Sequence, residues 1–159
     1  MLNSEPAQFS LRVGVARGMA FLHDQKPTPI LHYDFKSDNV LVWQEDYSPQ
    51  LIANIADFGH ATGTFASTIK TDLFGTGAAT LVYKAPEAFD GDFNAANDVY
   101  SYGIIRREVL TGEAPWQGYA EASLTKAITK EARLPLPLDI AAAPLGRMVQ
   151  RCWVQVPSQ

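Results

Sequence analysis

Two short acidic motifs flank a pair of apolar runs, and this arrangement constrains the chain more than any other feature. Residues 32–39 read His-Tyr-Asp-Phe-Lys-Ser-Asp-Asn, and residues 57–59 read Asp-Phe-Gly. Between them, residues 40–55 contain two runs of branched apolar residues split by a polar stretch, which predicts a β-hairpin. Antiparallel pairing returns the chain to its starting end, so the hairpin would bring Asn39 and Asp57 together, although they are 18 positions apart (57 − 39).

The polar side chains of these motifs suit phosphoryl transfer from a metal-bound nucleotide. Asp34 is the candidate base that accepts a hydroxyl proton. Asn39 and Asp57 offer the oxygen ligands that Mg²⁺ prefers, and Lys36 would offset the charge on the transferred group. Two plainer interpretations stay open at this point: Asp34 as a turn-forming residue and Lys36 as a solvated surface lysine.

The order and spacing of the motifs make coincidence improbable. A chance match to His-x-Asp-x-Lys-x-x-Asn is on the order of one in 10⁵ per starting position. Asp-Phe-Gly follows the first Asp by 23 positions (57 − 34), and residues 85–87 read Ala-Pro-Glu. This ordered set resembles the eukaryotic protein kinases, whose motifs are H-R-D-L-x-x-x-N, D-F-G and A-P-E. Lys36 resembles the serine/threonine type, and residues 34–39 and 151–153 most resemble the tyrosine-kinase-like group.

The resemblance covers nearly the whole chain and implies both a fold and an activity. The implied fold is the mainly helical large lobe of an α+β kinase domain, with a small β-hairpin at the catalytic loop. The implied activity is transfer of the γ-phosphoryl group of ATP to serine or threonine hydroxyls of protein substrates. Asp34, Lys36 and Asn39 would be catalytic, Lys36, Asn39 and Asp57 would bind ATP, and Asn39 and Asp57 would hold Mg²⁺.

Parts of the family pattern are missing at both ends of the sequence. The glycine-rich loop and the strand lysine that normally grip the nucleotide do not precede the first predicted helix. We therefore expect residues 1–159 to be one partial kinase domain, without its N-terminal lobe and shortened at its far end. Without adenine contacts, the isolated chain should bind ATP with a dissociation constant of roughly 1 mM or weaker.

The resemblance also implies structural roles around the Asp-Phe-Gly turn. His32 would tie the catalytic-loop backbone to that turn, Phe58 would pack, and Gly59 would give the turn its conformational freedom. Asp38 falls at a variable family position, so we expect it to face solvent.

Further along the chain, Thr80 would neighbour the catalytic Asp and Lys. It closes residues 60–80, a polar, glycine-spaced stretch that reads either as a mobile surface loop or as the family's activation segment. Asp98 would accept hydrogen bonds from catalytic-loop backbone, or it would be a plain aspartate at a helix start. Glu87 would lack the arginine that normally neutralises it.

Apolar periodicity predicts helices through most of the remaining chain. Steps of four, four and three between apolar residues indicate a first amphipathic helix over 8–23. The same signal predicts three further helices: 99–110, 120–130 and 145–153. Asn94 or Asn97 would cap the first of these. Arg106 and Arg107 fall in that helix, at positions that are apolar or Trp in the family, and we expect their stems to run along apolar surface with their charged ends in water.

Composition is that of an ordinary globular domain, with 47% hydrophobic and 19% charged residues among 159. A net charge of −4 gives no basic footprint for nucleic acid, so we expect no such partner. Neither a signal peptide nor a membrane-length apolar run is evident. The single cysteine, Cys152, excludes an intrachain disulfide. These features predict a cytoplasmic protein, or the cytoplasmic part of a larger one.

Two other functions compete with catalysis. The chain could be a pseudokinase-like interaction module that engages partners through its helical lobe and performs no chemistry. It could also be a helical domain that carries an unrelated aspartate-rich loop. Geometry distinguishes the last case, because a catalytic chain must bring Asp34, Asn39 and Asp57 to one cleft. The sequence does not name a protein substrate or an oligomeric state.

Overall fold

The structure is a computed structural model that describes residues 5–44, 46, 50–63 and 78–154. Its first helix, α1, spans Glu5–His23, three residues longer at its start than predicted. The predicted apolar stripe of α1 is buried, and it consists of Leu11, Val15, Met19 and Leu22. None of the helices within the described ranges is long and apolar enough to cross a membrane.

Four short strands form two antiparallel pairs on top of the helices. They are β1 (Ile30–Leu31), β2 (Val40–Gln44), β3 (Leu51–Ile55) and β4 (Thr62–Gly63). The predicted hairpin is the pair β2–β3, with Val40 opposite Ile55. The second pair, β1–β4, was not predicted, because each of its strands is only two residues long and is defined by a distant partner.

Five helices follow the strands in the described part of the chain: α2 (Ala78–Leu81), α3 (Ala95–Thr111), α4 (Glu121–Thr129), α5 (Leu138–Ala142) and α6 (Pro144–Cys152). Of these, α3, α4 and α6 were predicted, with ends shifted by one to four residues, and α2 was not. Asn94 caps α3, and Asn97 completes a reciprocal capping box. Gly112 ends α3 in the left-handed conformation, at a φ of 69°. Helix α5 was missed because prolines mark residues 135–144 as irregular.

Helix α3 is the centre of the core. Tyr100 and Ile104 on α3 are at most 2% exposed, and α6 packs against the same helix. Helix α1 packs on β3, which places the hairpin on a helical floor. Isolated hairpins are marginal in water, so this floor is what fixes the positions of the two acidic motifs. The mainly helical fold with a small β-hairpin, predicted from the sequence, is confirmed.

The expectation for the two arginines of α3 was wrong. Arg106 and Arg107 are each only 4% exposed, so their charged ends are buried as well as their stems. Arg107 is paired with Glu113, whose carboxylate and backbone carbonyl both accept hydrogen bonds from it. One nitrogen of Arg106 donates to the Tyr102 hydroxyl at 2.9 Å.

Candidate active site

A buried carboxylate on α3 holds the loop that carries the first acidic motif. Asp98 is 1% exposed. Its Oδ2 accepts a hydrogen bond from the backbone N–H of His32 at 2.8 Å, and its Oδ1 accepts one from Tyr33 at 3.0 Å. The Nε2 atom of His23, at the end of α1, lies 2.9 Å from the same carboxylate. One side chain thus joins α1, α3 and the loop between β1 and β2.

Asp34, Lys36 and Thr80 form one hydrogen-bonded cluster. The Nζ atom of Lys36 donates to Oδ2 of Asp34 at 2.8 Å and to Oγ1 of Thr80 at 3.2 Å, across 44 positions of sequence. Asp34 is 6% exposed, and its Oδ1 is buried without a hydrogen-bond partner among the described residues. The cluster therefore holds a carboxylate and an ammonium group side by side.

Asn39 connects this cluster to the second acidic motif. It closes the 3₁₀ turn Ser37–Asn39, and its Nδ2 donates to the backbone oxygen of Asp34 at 2.7 Å. The backbone carbonyl of Asn39 accepts a hydrogen bond at 2.8 Å from the N–H of Ala56, the residue directly before Asp57. The hairpin therefore brings Asn39 and Asp57 to the same end, as the antiparallel pattern predicted. Asp38, in the same turn, is exposed as expected.

The donor set suits a magnesium ion that is shared with a nucleotide. Within the described ranges, no three His, Cys, Asp or Glu side chains gather as metal ligands. Because Asn39 uses its amide nitrogen on Asp34, its amide oxygen is the atom that could face a cation. Asp57 is exposed and adds a carboxylate. Mg²⁺ is commonly held by one or two carboxylates, with phosphate oxygens and water completing its shell, so these residues fit it.

The turn at residues 57–59 differs in one respect from the expectation. Asp57, not Gly59, takes the left-handed conformation, at a φ of 61°. Gly59 instead allows a close approach, since a Cβ there would lie 3.2 Å from Oδ1 of Asp57. The Nε2 atom of buried His32 lies 3.0 Å from the carbonyl of Ala56, and its ring lies 5.3 Å from that of Phe58. Phe58 packs on one side only and is 46% exposed.

A second polar network, which sequence reasoning missed, supports the loop from its other side. The hydroxyls of Ser37 and Tyr83 are 2.7 Å apart, and Tyr83 donates to Oε2 of Glu108 on α3 at 2.9 Å. Burial raises the pKa of Glu108 above its ordinary value, and the Tyr83 hydrogen bond opposes that shift. No short motif links these three residues, so only the tertiary fold reveals them.

Glu87 and residues 60–80 are the remaining parts of the sequence to which a role was predicted. Oε1 of Glu87 accepts from Nδ2 of Asn97 at 2.8 Å, so an amide takes one of the places expected for an arginine. Its Oε2 is buried with no partner in the described part of the chain. The candidate activation segment lies largely outside the described residues, which resume at 78, just before Thr80.

Comparisons with known proteins agree with these motifs. The family model described as protein tyrosine and serine/threonine kinase matches residues 3–159. Seven transmembrane domain-containing tyrosine-protein kinase 1 of Dictyostelium discoideum is 32% identical over 155 residues, which are 95% of this chain and 21% of that protein. Mitogen-activated protein kinase kinase kinase 10 of Homo sapiens is 32% identical over 146 residues, 89% of this chain and 15% of that protein.

A probable receptor-like protein kinase of Arabidopsis thaliana is 40% identical over 109 residues, which are 66% of this chain and 27% of that protein. The matched region is therefore about a quarter or less of the length of each of these relatives. The family predicted from the sequence is confirmed by these matches.

Proposed function

The chain belongs to the protein tyrosine and serine/threonine kinase family, and we propose that it supplies the catalytic loop of a serine/threonine protein kinase. In this function it transfers the γ-phosphoryl group of ATP to hydroxyls of protein substrates. The observation that supports this most strongly is the position of Lys36, whose Nζ contacts both Asp34 and Thr80. We assign the chain to the cytoplasm, or to the cytoplasmic part of a larger protein, as one partial kinase domain.

Asp34 orients the substrate hydroxyl and accepts its proton. Its Oδ2 is occupied by Lys36, and its Oδ1 is buried and unpaired among the described residues, so the two oxygens have different tasks. Lys36 is held between Asp34 and Thr80, which supports a role in which its charge offsets the negative charge on the transferred group. Thr80 thereby positions Lys36 for a serine or threonine hydroxyl.

Asn39 and Asp57 would hold the magnesium ion in this function, and Lys36 would offset the negative charge of the nucleotide. Bound Mg·ATP supplies the phosphoryl group and neutralises part of its charge. The hydrogen bond from Ala56 to Asn39 keeps the two ligand-bearing residues at one end of the hairpin. His32, Phe58 and Gly59 maintain the turn that carries Asp57.

Exposed apolar side chains favour a second candidate, an interaction module without catalysis. Phe9 and Phe21 on α1 are 61% and 67% exposed, and Trp43 on β2 is 42% exposed. Phe9 and Phe21 border the same surface groove, and exposed apolar surface marks binding sites in many proteins. Phosphoryl transfer separates the two candidates, because an interaction module performs none.

Phosphoryl transfer by the longest natural chain that contains these residues tests the proposal. Asp34→Asn should lower transfer of labelled phosphate by about 10²–10⁴-fold, because the proton acceptor is lost. Asp38→Asn is the matched control, since Asp38 is an exposed carboxylate in the same loop, and it should leave the rate unchanged. Phosphoserine and phosphothreonine should dominate the product.

Two outcomes would count against the proposal in different ways. Equal transfer by Asp34→Asn and the unmodified chain would remove Asp34 as the base. Phosphotyrosine as the only product would keep the phosphoryl transfer and reject the serine/threonine preference.

A further inference from the structure

A second lysine lies close to the proposed catalytic cluster. Asp34, Thr80 and Lys84 border one cavity of only about 30 Å³, roughly the space of a single water molecule, so the three residues are near neighbours. Lys84 follows Thr80 by four positions (84 − 80), and its backbone N–H donates to the carbonyl of Leu81 at 3.2 Å. The catalytic roles proposed above give Lys84 no task.

Two aromatic rings fix the position of this lysine. The Nζ atom of Lys84 lies 4.8 Å from the ring centre of Phe89 and 5.9 Å from that of Phe93. The Phe93 ring in turn meets the Tyr33 ring edge to face at 5.6 Å, and Tyr33 directly precedes Asp34. A cation within about 6 Å of a ring centre is attracted to the face of the ring. The ammonium is therefore held at a defined place beside the catalytic loop.

The described residues leave the charge of Lys84 without an ionic partner. No carboxylate in that part of the chain forms an ion pair with its Nζ. The two aspartates that border the same cavity are committed elsewhere, Asp34 to Lys36 and Asp98 to backbone N–H groups and His23. Lys84 is half-buried, so part of its surface stays open to solvent. Burial lowers the pKa of Lys84, and an anion paired with it would oppose that effect.

The residue before Lys84 turns toward a different partner. Tyr83 is buried, and its hydroxyl contacts Ser37 and Glu108. Lys84 contacts the two phenylalanine rings instead, so Glu108 does not neutralise it. The two consecutive side chains thus support the catalytic loop on one hand and present a positive charge beside it on the other.

We propose that Lys84 selects protein substrates that carry an acidic side chain close to the acceptor hydroxyl. This inference rests on the proposed function, which places the acceptor at Asp34. An extended substrate segment advances about 3.3 Å per residue, so a carboxylate roughly one to three positions from the acceptor would reach the ammonium. A lysine side chain is a compact point charge, so aspartate and glutamate should both be accepted. A basic side chain at that position would meet a like charge and be rejected.

Peptides that differ in one side chain test this inference. The longest natural chain that contains these residues is assayed on serine peptides with Asp, Asn or Lys at the positions flanking the serine. At one position, Asp should raise kcat/KM about three- to tenfold over Asn, as a half-buried ion pair would, and Lys should lower it. The preference for Asp should shrink as salt is raised from about 0.05 M to about 0.5 M, because salt screens a partly exposed pair.

Variants of Lys84 identify the residue responsible. Lys84→Met keeps a long apolar stem, and it should bring the Asp and Asn peptides within about twofold of each other. Lys84→Glu should reverse the preference, so that the Lys peptide becomes better than the Asp peptide. Lys130→Met removes an equal charge from an exposed position after α4 and should retain the preference for Asp. The peptide comparison on the unmodified chain remains decisive if a variant fails to fold.

Binding of the same peptides with alanine in place of serine, measured by fluorescence anisotropy, separates this inference from the proposed function. Tighter binding of the Asp peptide that Lys84→Met abolishes, without phosphoryl transfer to any peptide, would keep the inference and reject the proposed function. Transfer with equal kcat/KM for Asp and Asn at every position would keep the function and overturn the inference. A preference for Asp that Lys84→Met leaves unchanged, or the absence of selectivity in both transfer and binding, would overturn it as well.

Discussion

At the scale of single residues, two carboxylates of α3, buried Asp98 and half-buried Glu108, have opposite relations to their surroundings. Asp98 accepts two backbone N–H groups and lies beside His23, so its charge is well solvated by the protein. Glu108 receives hydroxyl donors, and burial still raises its pKa. Asp98 therefore stabilises the catalytic loop, whereas ionisation of Glu108 destabilises the folded state.

Replacing Asp98 should destabilise the fold. Asp98→Ala removes the acceptor of the His32 and Tyr33 N–H groups, at about 1–3 kcal/mol each, so we expect a loss of about 2–6 kcal/mol in the free energy of unfolding. Asp98→Asn should lose less, because its remaining oxygen still accepts one N–H group. Urea unfolding measures both. Asp38→Ala, at an exposed position, should change stability by less than about 0.5 kcal/mol. Equal losses for Asp98→Ala and Asp38→Ala would contradict the role of Asp98 in stabilising the catalytic loop.

Glu108→Gln should change how stability depends on pH. Because the pKa of Glu108 is raised in the folded state, its contribution is fully present below the ordinary value of 4.5 and is lost as pH rises through the folded pKa. Glutamine does not ionise, so the variant should gain in unfolding free energy relative to the unmodified chain as pH rises above 4.5. Urea unfolding at several pH values measures this slope. A difference that stays constant with pH would exclude the effect.

At the scale of elements, the close contact between α3 and α6 depends on a glycine, Gly103, which has no side chain. A Cβ at Gly103 would lie 2.7 Å from the Cβ of Cys152. Gly18 offers a comparison on α1, where a Cβ would lie 2.9 Å from Cδ1 of Ile55, the end of a flexible side chain. The first contact is with an atom fixed to the backbone, and the second is with one that can rotate.

Alanine at these two glycines should therefore have unequal effects. Gly103→Ala overpacks the helix contact, which typically costs about 1–3 kcal/mol, although alanine is a better helix former by about 1 kcal/mol. Gly18→Ala receives the same helical benefit, and Ile55 can move aside. We expect Gly103→Ala to melt at the lower temperature of the two in circular dichroism. Equal melting temperatures would show that α6 shifts without cost.

Local signals predicted most elements, and long-range contacts account for those that were missed. Apolar spacing located α1, and the Asn94–Asn97 pair marked the start of α3, since both depend on near neighbours. Strand β4 exists only through its pairing with β1, which no local pattern encodes. The left-handed turn residue was assigned to Gly59 on residue type alone, whereas the fold places it at Asp57.

At the scale of the whole molecule, the candidate site draws on most of the fold. Helix α1 supports the hairpin, the hairpin sets Asn39 beside the start of the second motif, and α3 holds the loop through Asp98. Motif spacing predicted the main site residues because each motif is local. It could not predict Tyr83 and Glu108, which contact Ser37 of the loop, or His23, which contacts Asp98, because these contacts form only when distant segments fold together.

Mn²⁺ in place of Mg²⁺ offers a decisive probe of the site, because it accepts similar oxygen ligands and broadens nearby NMR signals. With Mn²⁺ and excess ATP, the backbone amide signals of Asp34, Asn39 and Asp57 should broaden first, and Asp57→Asn should abolish that broadening. Broadening centred elsewhere, such as on the acidic surface at residues 90–92, or broadening unaffected by Asp57→Asn, would contradict a shared metal beside Asp34.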